Sequence, residues 1–407
     1  MRKSDPHRFQ VAGRNTAREI NRRILLNIVR SRQPLSRAEL ARIMGTRRAA
    51  VSLIVNDLIA DGLLYEGAKG ETARGRKPQF LYIDSRKRWV FAVDVRPTRT
   101  SVMVGDLFGN PLIGVSSFPT DADVPRLVKT LADRLEQTRV AHPDLGECQG
   151  VGVVVPGMVG PGGELVLFAP RLGWRNVALK EALAAATQLP VTVENSGRAC
   201  GLAQLLTARG EVPGEGDIAF VNVSDGVGVG IVVRGELLRG RHNVAGEFAH
   251  LPLNIEGPAC ACGAAGCWEA YVSNLATLSR YFGRELSPHK PIPHELATFT
   301  VDDLIARARG GDDRATAALH ATARYLGLGL ASLVNAVDPQ RIYLSGEIIG
   351  AWDLIEPAVR QALAERALAP AGGATELVTI ALPEHPRLKG AAALVAAGAL
   401  YEGESLI

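Results

Sequence analysis

Along the first ninety residues the apolar positions fall into three helical stripes and then a short alternation. Ile20, Ile24, Leu25, Ile28 and Val29 recur at helical spacing and predict a first helix with one buried face. Ser36 followed by Glu39 has the form of a capping box, each side chain meeting the other's backbone N–H, and opens a second helix with Leu40 and Ile43 facing inward. Gly45 permits a sharp turn. A third helix from about Thr46 would bury Val51, Ile54, Val55, Leu58 and Ile59 on one stripe and stop at Asp61-Gly62. The stretch LLYEGAKGETARGRKPQFLYID, residues 63–84, then reads as strand, loop, strand.

From Trp89 the pattern changes to short apolar strands alternating with helices. WVFAVDVRPTRTSVMVGDLFGN predicts two strands with a turn at Arg96-Pro97, and GVGVVVPGMVG a buried strand ending in a glycine turn. VTVENSG, IAFVNVSDGVGVGIVVRGELL and RIYLSGEIIG repeat the theme, with helices expected at Val124–Val140 and Asp312–Val337. Such alternation over some three hundred residues implies an α/β body with substantial sheets. The C-terminal GAAALVAAGALYEG reads as a small-residue helix that packs closely.

Charge separates the same two parts. The 407-residue chain carries a net +4, but residues 1–90 hold 20 Lys+Arg against 8 Asp+Glu, and the rest 26 against 34. A basic head on an acidic body points the head toward a polyanion. The three-helix, two-strand pattern makes that head a winged helix-turn-helix. Arg47, Arg48, Ser52 and Asn56 occupy the first turn and outer face of the third helix, where major-groove contacts are made. Lys69, Arg74, Arg76 and Lys77 lie in the loop, or wing, where cations can follow a minor groove or phosphates. The expected partner is double-stranded operator DNA. No apolar run reaches membrane-spanning length, and the charged N-terminus leads into no long apolar segment, so neither a membrane span nor a secretory signal is expected.

Three of the five cysteines fall within HLPLNIEGPACACGAAGC, His250 to Cys267. The sparse, odd cysteine count argues against a disulfide framework and for a reducing, cytoplasmic setting. His250, Cys260, Cys262 and Cys267 offer one imidazole and three thiolates, the closed tetrahedral set of a structural Zn²⁺. Cys148 and Cys200 have no such company and read as buried small hydrophobes.

The stretch GVGVGIVVRGELLRG…AGEFAHLPLNIEGPACACGAAGCWE resembles the ROK family (repressors, open reading frames and sugar kinases), and the similarity covers essentially the whole chain. The winged head resembles the branch of xylose- and N-acetylglucosamine-responsive repressors. The resemblance implies an actin-like, two-lobed ATPase fold in which the metal knuckle adjoins a sugar pocket. It assigns Gly157, Asn195, Ser196, Glu247, His250 and Glu269 to that pocket, with PRLGW, Pro170 to Trp174, beside it. Ala249 stands where the family usually has glycine, which would tighten or distort the turn.

The same resemblance exposes departures from a working kinase. The family's Asn-Asp pair, whose aspartate is the base, is here Asn195-Ser196, and loss of a positioned base typically costs ~10²–10⁴ in rate. The first phosphate loop, Asp-x-Gly-x-Thr, is Asp94-Val-Arg96-Pro-Thr98: arginine replaces the glycine, and Pro97 has no amide to donate. The second loop, Gly226-Val-Gly228-Val-Gly230, is kept. Glu347 follows Ser345-Gly346 and would bring negative charge toward a triphosphate. Arg198 could reach an anionic group on a ligand, although an ion-paired helix residue is the more ordinary reading. No catalytic residue is therefore expected.

The expected organisation is a winged helix-turn-helix at 1–88, a first lobe at 89–199 completed by a C-terminal helix at 390–407, and a second lobe with the zinc knuckle at 200–389. The expected function is a sugar-responsive DNA-binding regulator, a homodimer or dimer of dimers, repression being the family's habit. The alternatives are an active ATP-dependent sugar kinase with a DNA-binding head, and a ligand-independent DNA-binding dimer.

Overall fold

The structure, a computed structural model of the chain, describes residues 14–400 apart from 70–77, 85–86, 208–216, 291–292, 294–295, 297 and 369–374. The head comprises α1 (Arg14–Arg32), β1 (Leu35–Ser36), α2 (Arg37–Ile43), α3 (Arg48–Ala60), β2 (Leu64–Lys69) and β3 (Gln79–Ile83). Both arms of the predicted capping box form: Ser36 Oγ accepts the Glu39 amide and Glu39 Oε2 accepts the Ser36 amide at 2.8 Å. α3 ends at Asp61. Leu25, Leu26, Val29, Leu40, Val51, Val55 and Leu58 form the head's core. Three expectations of inward-facing residues are corrected. Ile20, Ile24 and Ile43 are exposed, because the apolar stripe on α1 turns toward Leu25 and Val29 and α2 is too short to bring a second turn inward. Arg18 with Asp57 and Arg22 with Asp61 tie α1 to α3 along its flank.

The body has two five-stranded sheets. The first, in order β11-β7-β4-β5-β6, uses β4 (Arg88–Val95), β5 (Arg99–Asp106), β6 (Pro111–Pro119), β7 (Glu147–Val155) and β11 (Val191–Asn195). The second, in order β14-β13-β12-β15-β16, uses β12 (Ile218–Val223), β13 (Val227–Val233), β14 (Glu236–Leu237), β15 (Arg341–Ser345) and β16 (Glu376–Thr379). Both follow one plan: an antiparallel three-strand meander, then two parallel strands added on the side of its first strand. A small sheet of β8 (Met158–Val159), β9 (Val166–Ala169) and β10 (Trp174–Val177) hangs from the first. The two-lobed, actin-like architecture read from the sequence is thus present as a duplicated half.

The helices are α4 (Val124–Ala141), α5 (Leu179–Thr187), α6 (Ser196–Thr207), α7 (Glu269–Val272), α8 (Asn274–Phe282), α9 (Val301–Arg309), α10 (Asp313–Val337), α11 (Trp352–Arg366) and α12 (Pro386–Leu400). α12 is the small-residue helix. A Cβ on Gly152 of β7 would meet the Ala391 carbonyl oxygen at 1.9 Å, and one on Gly390 would meet the Ala199–Cys200 backbone of α6 at 2.9 Å. α12 therefore lies directly on the first sheet and against α6. α6 continues to the second sheet, where Gly197 and Gly230 meet backbone to backbone. The boundary expected at 199/200 falls inside α6, the helix that touches both lobes. Among the described residues no helix is long and apolar enough to cross a membrane.

Candidate sugar cleft and metal knuckle

β11 ends at Asn195, in a site between the lobes. Its Nδ2 donates to the Gly157 carbonyl at 2.8 Å and its Oδ1 accepts the Arg198 amide at 3.1 Å, so the side chain ties the glycine turn to the first turn of α6. Gly157 has φ +110°, and a Cβ there would lie 2.3 Å from the Phe168 carbonyl oxygen, so only glycine allows the turn to approach β9. Ser196 is the first residue of α6 and is buried. These three residues line a cavity of about 80 Å³ together with Glu247, His250 and Glu269. All six pocket residues expected from the resemblance therefore surround one space.

Their side chains are strongly engaged. Arg198 is 1% exposed and lies 2.9 Å from Glu194 and 3.5 Å from Glu247. Glu194 in turn meets Arg239 at 2.5 Å, so alternating charges run from the cleft to the loop after β14. Burial of both ions demands such pairing. Arg198 is thus an ion-paired helix residue rather than a cation presented to ligand. Burial raises the Glu247 carboxyl above its ordinary pKa, and Arg198 and then His250 oppose that rise. Glu269 Oε2 accepts the Val227 amide at 2.9 Å, which joins the knuckle to the glycine loop Gly226–Gly230.

His250, Cys260, Cys262 and Cys267 converge, with ligand atoms all within 4.8 Å of one another. Cys262 Sγ and Cys267 Sγ are 3.8 Å apart, and His250 Nδ1 is 3.7 Å from Cys260 Sγ. Zn–S bonds of about 2.3 Å in a tetrahedron place neighbouring sulfurs roughly 3.8 Å apart, so the residues present fit the ion. Burial pushes the Cys267 thiol up to about 11 and raises Cys260 as well, which makes a cation the natural source of thiolate character here. All five cysteines are free thiols. Cys200 is buried, its pKa lifted by burial to about 12, and Cys148 is half-buried. Ala249 does not distort its turn as expected: its φ is not positive and its methyl group packs into the second lobe's core.

The two departures at the phosphate loops meet each other. Arg96 Nη2 donates to Glu347 at 2.9 Å, lies 3.5 Å from Asp225 and also contacts Ser224 Oγ. The expectation of Glu347 as a bare charge facing a triphosphate is corrected, since Arg96 neutralises it. Burial opposes ionisation of both groups but is outweighed by their mutual attraction, so the Glu347 carboxyl falls below its ordinary pKa and Arg96 is held protonated. Asp94, the loop's other end, is held by Arg387 at 2.6 Å. The sequence marks Arg96, Glu347 and Asp94 but not Ser224, Asp225 or Arg387, whose places after β12 and at the start of α12 carry no local signal.

In the head, Arg47 and Arg48 are exposed at the start of α3, Ser52 is half-buried and Asn56 is exposed. Asn56 accepts Arg37 Nη1 at 2.9 Å, and Arg37 also pairs with Glu66 of β2 at 2.8 Å, which braces α3 against the wing strand. Of the expected wing cations, Arg74, Arg76, Lys77 and the side chain of Lys69 lie outside the described residues.

A family model described as "ROK family" matches residues 90–397. The xylose repressor of Bacillus spizizenii is 27% identical over 95% of this chain and 97% of its own length. The glucokinase of Streptomyces coelicolor is 31% identical over 66% of this chain and 85% of its own. Among solved structures, a ROK family transcriptional regulator described as a homologue of the E. coli MLC protein superposes with a TM-score of 0.77 at 25% identity, covering 94% of this chain and 98% of that one.

Proposed function

The chain belongs to the ROK family, and on that premise we propose that it is a DNA-binding transcriptional repressor whose two-lobed body senses a sugar or sugar derivative. One observation carries the reading: the match to a repressor covers 95% of this chain, and so most of the basic head, while the match to a glucokinase covers 66%. The head docks as a winged helix-turn-helix, with α3 in the major groove and Arg47, Arg48, Ser52 and Asn56 toward the duplex. The wing, with Lys69, Arg74, Arg76 and Lys77, follows the phosphates or the minor groove. A symmetric dimer, acting in the cytoplasm, presents two heads to two half-sites.

In the body, Gly157, Asn195, Ser196, Glu247, His250 and Glu269 form the sugar cleft. His250, Cys260, Cys262 and Cys267 hold a structural zinc, which fixes His250 and the segment leading to Glu269 and supplies no open coordination position. The body does not transfer phosphate. Ser196 has no basicity to take a hydroxyl proton near neutral pH, and at the altered phosphate loop Arg96 is paired with Glu347 instead of leaving backbone amides free for a triphosphate. Sugar changes DNA affinity only through different affinities for two arrangements of the lobes. α6 and α12, which touch both sheets or pack against a helix that does, are the elements such a change must move.

The test is a DNA selected by the purified protein from a random pool, then challenged with xylose, glucose and N-acetylglucosamine. Release by at least one sugar, lost in Glu247→Ala while DNA binding persists, supports the reading. Failure to enrich any duplex removes the regulator, and turnover of ATP with a sugar reinstates the kinase.

A further inference from the structure

The buried residues of α3, Val51, Ile54, Val55 and Leu58, fall on one arc of the helix. Helical geometry puts Leu53 almost diametrically opposite the centre of that arc. Leu53 is 66% exposed, more than any other large apolar side chain among the head's described residues; Ile20 follows at 48%. An exposed leucine is ordinary by itself. The setting of this one is not. Ala49, one turn before it, is also exposed, with Arg47 and Arg48 at the start of the helix and Asn56 one turn after.

The polar groups around Leu53 are engaged. Asn56 Oδ1 accepts Arg37 Nη1 at 2.9 Å, so a two-point contact of this amide with adenine requires Arg37 to let go. The Ser52 carbonyl accepts from the same Nη1 at 3.4 Å. Asp57, the one acidic residue of α3, is paired with Arg18 of α1, which blunts its repulsion of a polyanion. The outer face of α3 therefore has cations at one end and an apolar middle. The head's 20 Lys+Arg against 8 Asp+Glu in residues 1–90 favour duplex DNA over a second copy of the same basic surface as the occupant of that face. Phosphates take the cations. The apolar group that base edges display in the major groove is the C5 methyl of thymine.

We propose that Leu53, with Ala49 beside it, contacts thymine methyl groups, so that each operator half-site holds thymine at the step faced by the middle of α3. The proposal rests on the DNA-binding reading above. It adds a residue that sets base preference by apolar contact, which the charged and polar residues marked in the sequence do not supply.

Deoxyuridine in place of thymine keeps the base pair and removes only the methyl group. A duplex is enriched from a random pool by the full chain, each thymine of its half-site is replaced singly by deoxyuridine, and binding is measured at one salt concentration. One or two positions should weaken binding about fourfold, the worth of one buried methyl group. Leu53→Ala should bind the parent duplex more weakly, lose most of its response at those positions and keep the wild-type salt slope, whereas Leu53→Met should keep the response. Thermal unfolding checks that both variants fold. A half-site with no methyl-sensitive thymine, or an undiminished response in Leu53→Ala, overturns the contact and leaves DNA binding standing. A change of oligomeric state in Leu53→Ala with no change at any thymine also overturns it and assigns the leucine to a protein interface. If the chain enriches no duplex, both readings fall together.

Discussion

Arg96 Nη2 lies 2.9 Å from Glu347 Oε1, across 251 residues of sequence and between the two lobes. Each residue alone reads as damage to a phosphate site. Together they form an internal ion pair between the lobes. The Arg96 and Glu347 side chains are 21% and 17% exposed, so the pair is shielded but not sealed from water.

Removing Arg96 leaves the shielded Glu347 carboxylate unmatched, and removing Glu347 leaves Arg96 only the longer 3.5 Å contact to Asp225. Arg96→Ala and Glu347→Ala should each lower unfolding stability by about 2–3 kcal/mol, somewhat less than for a fully buried pair. The double variant should lose less than the sum of the two, with a coupling of about 1–2 kcal/mol in urea denaturation. Strict additivity would mean that the contact contributes nothing.

The same pair predicts an acid dependence. Arg96 holds the Glu347 carboxyl below its ordinary value of 4.5. Its contribution is therefore fully present above that ordinary value, and is lost as pH falls through the lower folded-state value. Urea midpoints followed from about pH 6 to about pH 3 should fall more steeply for the wild type than for Glu347→Gln. Parallel curves would exclude a contribution from this carboxylate.

One zinc per chain is expected by elemental analysis. Cys262→Ser should release it and cost about 3–5 kcal/mol, as loss of a structural metal does. A strong chelator should reproduce the loss in the wild type and have little further effect on the variant. Unchanged metal content in Cys262→Ser would remove that cysteine from the ligand set.

On DNA, Arg47→Ala and Arg48→Ala should weaken binding. Each phosphate contact removed lowers the slope of log affinity against log salt by about 0.9. A loss of affinity confined to certain base pairs would instead mark a base contact. Arg37→Ala, which frees Asn56 and Glu66, should weaken binding through the posture of α3 against the wing, and should leave the salt slope nearly unchanged. A slope change as large as that of Arg48→Ala would place Arg37 on the phosphates.

The sequence by itself determined much of this protein. Helix spacing and the Ser36–Glu39 box gave α2 and α3, because capping and amphipathic stripes are local properties. The His250, Cys260, Cys262 and Cys267 cluster was legible because its four members crowd into eighteen residues. Turn glycines and strand runs marked the sheets in the same way. Other features were decided only in three dimensions. Ile20, Ile24 and Ile43 share the helical period of core residues yet face solvent, since which arc of a helix is buried depends on what packs against it. Arg96 with Glu347, Arg387 with Asp94, and Glu247 with Arg198 are pairs between distant segments, and charge in a one-dimensional string says nothing about its partner.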